Sequence, residues 1–173
     1  MICGKGNNIR AAIFSHPNVN CVPVQKLCNE DCAVGLISTK DGNIIVASIY
    51  LDINLDVYPL WLDEVCRYAY SKKYGIIIGA DSNAHSLLFG PDSNRRGDAF
   101  DEFIVNNGLM VENVGLVPTF QARRQNCSVA TFIDVTLTRG LKGNITGWRV
   151  DPGFNGSDHN TFCLLYTSPS PRD

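Results

Sequence analysis

Apolar positions in this chain change period several times. Residues 11–14 read as a short strand. Residues 32–37 and 44–50 read as a hairpin around Lys40-Asp41-Gly42-Asn43, whose Asp-Gly pair is a strong turn signal. Over residues 58–72 the spacing lengthens: Leu62, Val65, Cys66 and Ala69 fall at i, i+3, i+4 and i+7, the stripe of a helix. Pro59 suits that helix's first turn, and Gly75 is expected to stop it before the strand of residues 76–78. Residues 98–105 form a second amphipathic stretch, with Phe100, Phe103 and Ile104 on one face and Asn107-Gly108 as its stop. Strands are expected at 109–111, 131–137 and 145–150. Strands outnumber helices and the helices lie between them, which argues for a layered, sheet-rich α/β domain.

The 173 residues are 45% apolar and 18% charged, the make-up of one domain able to bury a core. A formal net charge of -2 does not advertise a nucleic-acid binder, although a local basic groove fits within it. Seven cysteines follow no disulfide framework; Cys28 and Cys32 lack a matching Cys/His pair for zinc, so reduced thiols in an intracellular setting are expected. Sequons at Asn126, Asn144 and Asn155 read as chance matches. No apolar run approaches the roughly 18 residues of a membrane span, and no membrane partner is expected. Residues 163–173 resemble the in-frame translation of a sequencing-library adapter. The domain is therefore expected to cover residues 1–162, with 163–173 a read-through tail.

The chemistry concentrates in three places. The run Ile76-Ile77-Ile78 leads into Gly79-Ala80-Asp81-Ser82-Asn83-Ala84-His85, and strand ends of this kind hold polar groups over a pocket. Alternation past the strand would aim Asp81 and Asn83 the same way; the plainer alternative is an Asx-turn. Asp134 interrupts an apolar strand, where an unpaired carboxylate is costly to bury. It either faces solvent or orients a histidine. Ser157-Asp158-His159 is either a polar turn or a metal carboxylate beside a proton-transfer group. Asp92-Ser93-Asn94-Arg95-Arg96 reads as a solvated loop, with phosphate contact the sharper reading, and His85 as a locally hydrogen-bonded loop histidine. Gly4-Lys5-Gly6 lacks the rest of a P-loop, and no Gly-x-Ser-x-Gly occurs.

In order along the chain, Arg10-Ala11-Ala12-Ile13, Ser48-Ile49-Tyr50, Ile78 to His85, Asn94-Arg95-Arg96-Gly97, Pro118-Thr119-Phe120, Phe132 to Leu137, Trp148-Arg149-Val150 and Ser157-Asp158-His159 form a specific set. The set resembles the endonuclease/exonuclease/phosphatase superfamily, and within it the apurinic-type endonuclease domain of non-LTR retrotransposons. The resemblance implies a four-layer α/β sandwich of two packed mixed β-sheets flanked by helices. It implies Mg²⁺-dependent phosphodiester hydrolysis, Mn²⁺ being an alternative cofactor, with DNA as partner and a fused reverse transcriptase in the full-length protein. Action in the nucleus follows from that substrate. His159 oriented by Asp134 would be the catalytic pair, and Asp81 would handle a proton. Asn83 would hold a phosphate oxygen beside the Tyr50 hydroxyl, and Asp158 would bind the metal. His85, Arg95 and Arg96 would contact substrate. The family's N-terminal strand and helix, with a Gln-Glu motif whose Glu binds metal, have no counterpart here, and Phe89 stands where Trp is expected. The alternatives are a phosphoesterase of the same superfamily acting on a lipid or inositol phosphate, and a catalytically dead DNA-binding remnant.

Overall fold

A computed structural model describes residues 1–55, 58–124, 127–153 and 156–167. The strands in chain order are β1 (Ile2–Cys3), β2 (Ala12–Ile13), β3 (Cys21–Pro23), β4 (Cys32–Thr39), β5 (Gly42–Tyr50), β6 (Gly75–Asp81), β7 (Met110–Val111), β8 (Phe120–Arg124), β9 (Cys127–Thr131), β10 (Asp134–Arg139), β11 (Asn144–Asp151) and β12 (Thr161–Thr167). Helix α1 (Leu60–Ser71) joins β5 to β6, and α2 (Arg95–Asn106) lies between β6 and β7.

Six strands form one mixed sheet in the order β3-β4-β5-β6-β10-β7. Only β5 and β6 run parallel, as a strand–helix–strand crossover through α1 requires. Alternation divides the sheet cleanly. Ile45, Ala47, Ile49, Ile76, Ile78, Val135 and Leu137 face the helices and pack with Leu62, Val65, Phe100 and Ile104 in the main core. Tyr50, Asp81, Asp134, Thr136 and Thr138 point to the opposite face by the same alternation. That face carries further small sheets. The β1–β2 pair packs Ile2, Ala11 and Ile13 over Ala33. The β11–β12 ribbon is tied to β10 by Trp148, whose buried indole N–H donates to Thr136 Oγ1 at 3.0 Å. The expected mixed α/β architecture of packed sheets and few helices is therefore present.

Several boundaries differ from expectation for local reasons. Pro59 is the N-cap of α1, one residue outside its first turn. Gly75 opens β6 and does not stop α1; the stop is Lys73, in the left-handed region at φ 54°. The Tyr74 N–H reaches back to the Ala69 carbonyl, a Schellman-type end with lysine where glycine is usual. Helix α2 starts three residues early because Asn94 caps it, its side chain accepting from Gly97 N–H at 2.8 Å. The expected strand at 131–137 is broken between Thr131 and Asp134. The β8–β9 hairpin was not foreseen, being too polar to alternate. Residues 163–167, assigned to the tail, pair as the second half of β12. The sequons at Asn126 and Asn155 and the tail beyond 167 lie outside the described residues.

Candidate active site

Register brings the site together. Tyr50 on β5 pairs with Asp81 on β6, and Asp81 pairs with Asp134 on β10. All three stand on one face at one end of adjacent strands, which lie about 4.8 Å apart. Asp31, just before β4, extends the row, its carbonyl accepting from Tyr50 N–H at 2.9 Å.

His159 reaches over this row from the loop before β12. Its Nδ1 lies 3.1 and 3.0 Å from the two Asp134 oxygens, and its Nε2 lies 3.9 Å from Asp81 Oδ2. Phe120 meets the imidazole edge-on, ring centroids 4.9 Å apart. Asp134 is only 7% exposed, so the buried carboxylate has the partner its burial demands. Asp134 is held in turn by its backbone. Thr119, fully buried, accepts from the Ile133 and Asp134 N–H groups through Oγ1, and Asn113 Nδ2 donates to the Asp134 carbonyl at 2.9 Å.

Burial, hydrogen bonding and neighbouring carboxylates together set the electrostatics. Burial, then the charge of Asp134, pushes Asp81 up to about 6. The Asp134 hydrogen bond, with the charges of Asp134, Asp81 and Asp158, raises His159 against the opposing effect of burial. Burial chiefly raises Tyr50 as well. Ligand atoms of Asp81, Asp134 and His159 all lie within 4.8 Å of one another, a group able to hold a metal ion.

The remaining expected residues scatter around this centre. Asn83 takes a left-handed φ of 47°; its N–H donates to Asp81 Oδ1 at 3.2 Å and its Nδ2 to the Leu51 carbonyl at 3.1 Å. The Asx-turn is therefore real, and it interrupts the simple alternation from Asp81. Asp158 stands outside the three-residue group: its side chain is exposed, and its carbonyl accepts from Gln121 N–H. His85 pairs through Nδ1 with Asp92 Oδ2 at 2.8 Å. Arg95 is exposed in the first turn of α2.

Arg96 is held by the protein itself: its guanidinium donates to the carbonyls of Leu51, Asp52, Leu55 and Ser82 and lies over the Tyr58 ring at 5.2 Å. Three of these carbonyls, Leu51, Asp52 and Ser82, lie within two residues of the ends of β5 and β6, so the guanidinium ties the two strand ends together. The solvated-loop expectation holds for Asp92, Ser93 and Asn94, which are exposed and outside any helix or strand, and gives way at Arg95, where α2 begins.

Sequence reasoning assigned Arg10 no role, yet its guanidinium bridges Asp31 (2.5 and 2.8 Å) and Asp52 (2.5 Å) and lies 4.5 Å from the Tyr50 ring centroid. Thr119 was also missed. Pro118-Thr119-Phe120 was its signal, a short polar–aromatic motif in a stretch without periodicity.

The comparisons agree with this geometry. A family described as endonuclease-reverse transcriptase matches residues 44–163. The endonuclease domain of TRAS1, a telomere-specific non-LTR retrotransposon, is 28% identical with a TM-score of 0.77, over 89% of this chain and 71% of that one. The human Nocturnin catalytic domain shares the fold at 16% identity and a TM-score of 0.50, over 91% of this chain and 61% of that one. No curated protein sequence matches. With the match running from β5 to β12 through Tyr50, Asp81, Asp134 and His159, the chain belongs to the endonuclease-reverse transcriptase family.

Proposed function

We propose that this domain hydrolyses phosphodiester bonds in DNA, nicking a target strand from which a reverse transcriptase in the same protein primes synthesis. Its place of action would be the nucleus. The observation that carries the reading is the Asp134–His159–Asp81 arrangement: an imidazole fixed through Nδ1 by a buried carboxylate, with a second carboxylate facing Nε2.

Each residue has work consistent with that chemistry. Asp134 fixes the ring orientation and stabilises the imidazolium. His159 sits where it can face a phosphate and exchange a proton. Asp81, titrating near 6, is poised to take a proton from the attacking water or return one to the leaving oxygen. Asn83 has a second amide N–H for a phosphate oxygen, and Tyr50, paired with Asp81 across the sheet, would supply a hydroxyl to it. Arg95 and His85 would contact the substrate beyond this centre.

The donor set fits a divalent cation. Asp81 is held above its ordinary range by burial first and by the charge of Asp134 second, and a hard cation would favour its ionised form against both. Asp81 with Asp134 or His159 would hold Mg²⁺, or Mn²⁺, with Asp158 adding a carboxylate from the loop. When bound, the ion would offset charge developing on phosphate oxygens.

Supercoiled plasmid incubated with the protein and Mg²⁺ is expected to relax to the nicked circle. His159→Ala is expected to cost about 10²–10⁴-fold in that rate. A preparation that hydrolyses a lipid or inositol phosphate but never nicks DNA would replace this reading, as would nicking indifferent to His159.

A further inference from the structure

The strands that carry the site residues at one end carry lysines at the other. Lys40 lies in the β4–β5 turn, Lys72 and Lys73 lie between α1 and β6, and Lys142 follows β10. These three turns are neighbours because β4, β5, β6 and β10 are neighbours in the sheet. The chain thus gathers cations from positions a hundred residues apart. Lys5 and Lys26 are the only other lysines in the sequence.

This convergence makes a concave surface. Lys72, Lys73 and Lys142 line a cavity of about 230 Å³ with Asn43 and Asp41. Lys142 is laid over Gly42: a side-chain carbon at Gly42 would lie 3.8 Å from its Nζ. Lys40, Lys72, Lys73 and Lys142 are exposed, and none makes an ion pair among the described residues. Asp41 is the one carboxylate in the lining, and its Oδ2 is buried without a hydrogen-bond partner. Lys73 is fixed in direction by the Schellman-type end of α1, which holds its backbone at a left-handed φ.

We propose that this end of the sheet is a second nucleic-acid contact, binding the sugar-phosphate backbone of a strand other than the one at Asp81 and His159. Lysine ammonium groups are point charges on flexible stems, suited to phosphates and blind to sequence. The cavity has room for a phosphate and its sugar. It lies six residue steps along β6 from Asp81, about 20 Å, at the opposite end of the sheet, beyond reach of a straight duplex lying on the catalytic end. The partner class rests on the nuclease reading; the site itself does not.

The test is fluorescence anisotropy of labelled 20-nucleotide single-stranded DNA and RNA, titrated with protein in EDTA over a series of salt concentrations. K72E/K142E is expected to weaken binding of at least one strand about tenfold or more. K72Q/K142Q is expected to lower the slope of log K against log salt by about 1.4, near 0.7 for each phosphate no longer neutralised. Plasmid nicking is expected to persist in both variants. Weakening for RNA alone assigns the site to RNA, and equal weakening assigns it to the backbone common to both. Unchanged affinity and slope in both variants would overturn the site. Binding to phosphatidylserine vesicles that disappears in K72E/K142E while oligonucleotide binding stays intact would overturn the partner. The anisotropy readout needs no cleavage, so it stands even where nicking fails.

Discussion

Asp81 carries opposing demands. Its carboxylate is useful near neutral pH because burial and Asp134 hold its proton up to about 6, and the same shift destabilises the fold. Well below pH 4 the group is protonated folded and unfolded alike and costs nothing. Between about pH 4 and 6 the unfolded chain ionises while the folded one keeps its proton, and the penalty is complete above 6. Asp81→Asn is therefore expected to stabilise the fold in EDTA at pH 8 by an amount of order 1–3 kcal/mol, seen as a higher Tm, while abolishing nicking. The gain should shrink towards zero near pH 4, and thermal unfolding at both pH values checks it. A variant less stable than the parent at pH 8 would show that Asp81 contributes through its hydrogen bond to Asn83 instead. His159 has the opposite linkage. Its raised pKa gives stability that is complete below about pH 6.5 and lost as pH rises through the folded value. Asp134→Asn removes the main cause of that shift, and NMR titration of the His159 ring is expected to show a lower pKa. Asp134 was legible as a carboxylate inside a β-branched strand that needs a partner, and the family resemblance named His159 as that partner. Arg10 and Thr119 were not legible, since their worth depends on partners 21 to 42 and 14 to 15 residues away.

At the scale of elements, the start of α2 positions the catalytic end. Asn94 caps the helix, Arg96 gathers carbonyls from the β5 and β6 ends, and Gly97 lets the first turn lie against the His85 backbone. A side-chain carbon at Gly97 would overlap the His85 carbonyl oxygen, so the helix or the loop must move. Gly97→Ala is expected to cost about 1–3 kcal/mol by urea unfolding, in the range of overpacked sites. Arg96→Lys is expected to fail as a replacement, because one ammonium cannot span four carbonyls in fixed directions; a midpoint equal to the parent's would remove Arg96 from this role. The same segment explains why sequence reading placed the helix late. Arg95 and Arg96 are polar and precede the first apolar face residue, so periodicity begins at Phe100 while the backbone turns at Arg95. The β4–β5 hairpin and the α1 face were legible because each buries one clean stripe. The β8–β9 ribbon buries little beyond Ala122 and carries no such stripe.

For the whole molecule, a net charge of -2 conceals a separation along the sheet. Asp31, Asp52, Asp81 and Asp134 gather at one end and the lysine turns at the other, with Arg10, Arg96 and His159 among the carboxylates. Composition averages this away, which is why overall charge pointed from nucleic acid while the ordered motifs pointed towards it. The acidic end then makes a prediction about metal. A cation bound there and the loss of the Asp81 charge relieve the same repulsion, so their effects must not add. MgCl₂ is expected to raise the Tm of the parent above its value in NaCl of equal ionic strength, through preferential binding to the folded state. In Asp81→Asn, already relieved and short of one ligand, most of that increment should vanish. Lys72→Gln and Lys142→Gln, at the far end, should leave it intact. An equal Mg²⁺ increment in the parent and Asp81→Asn would place the stabilising ion elsewhere, and would shift the burden of charge neutralisation in this domain from Asp81 to the Arg10 cluster and the loop carboxylate of Asp158.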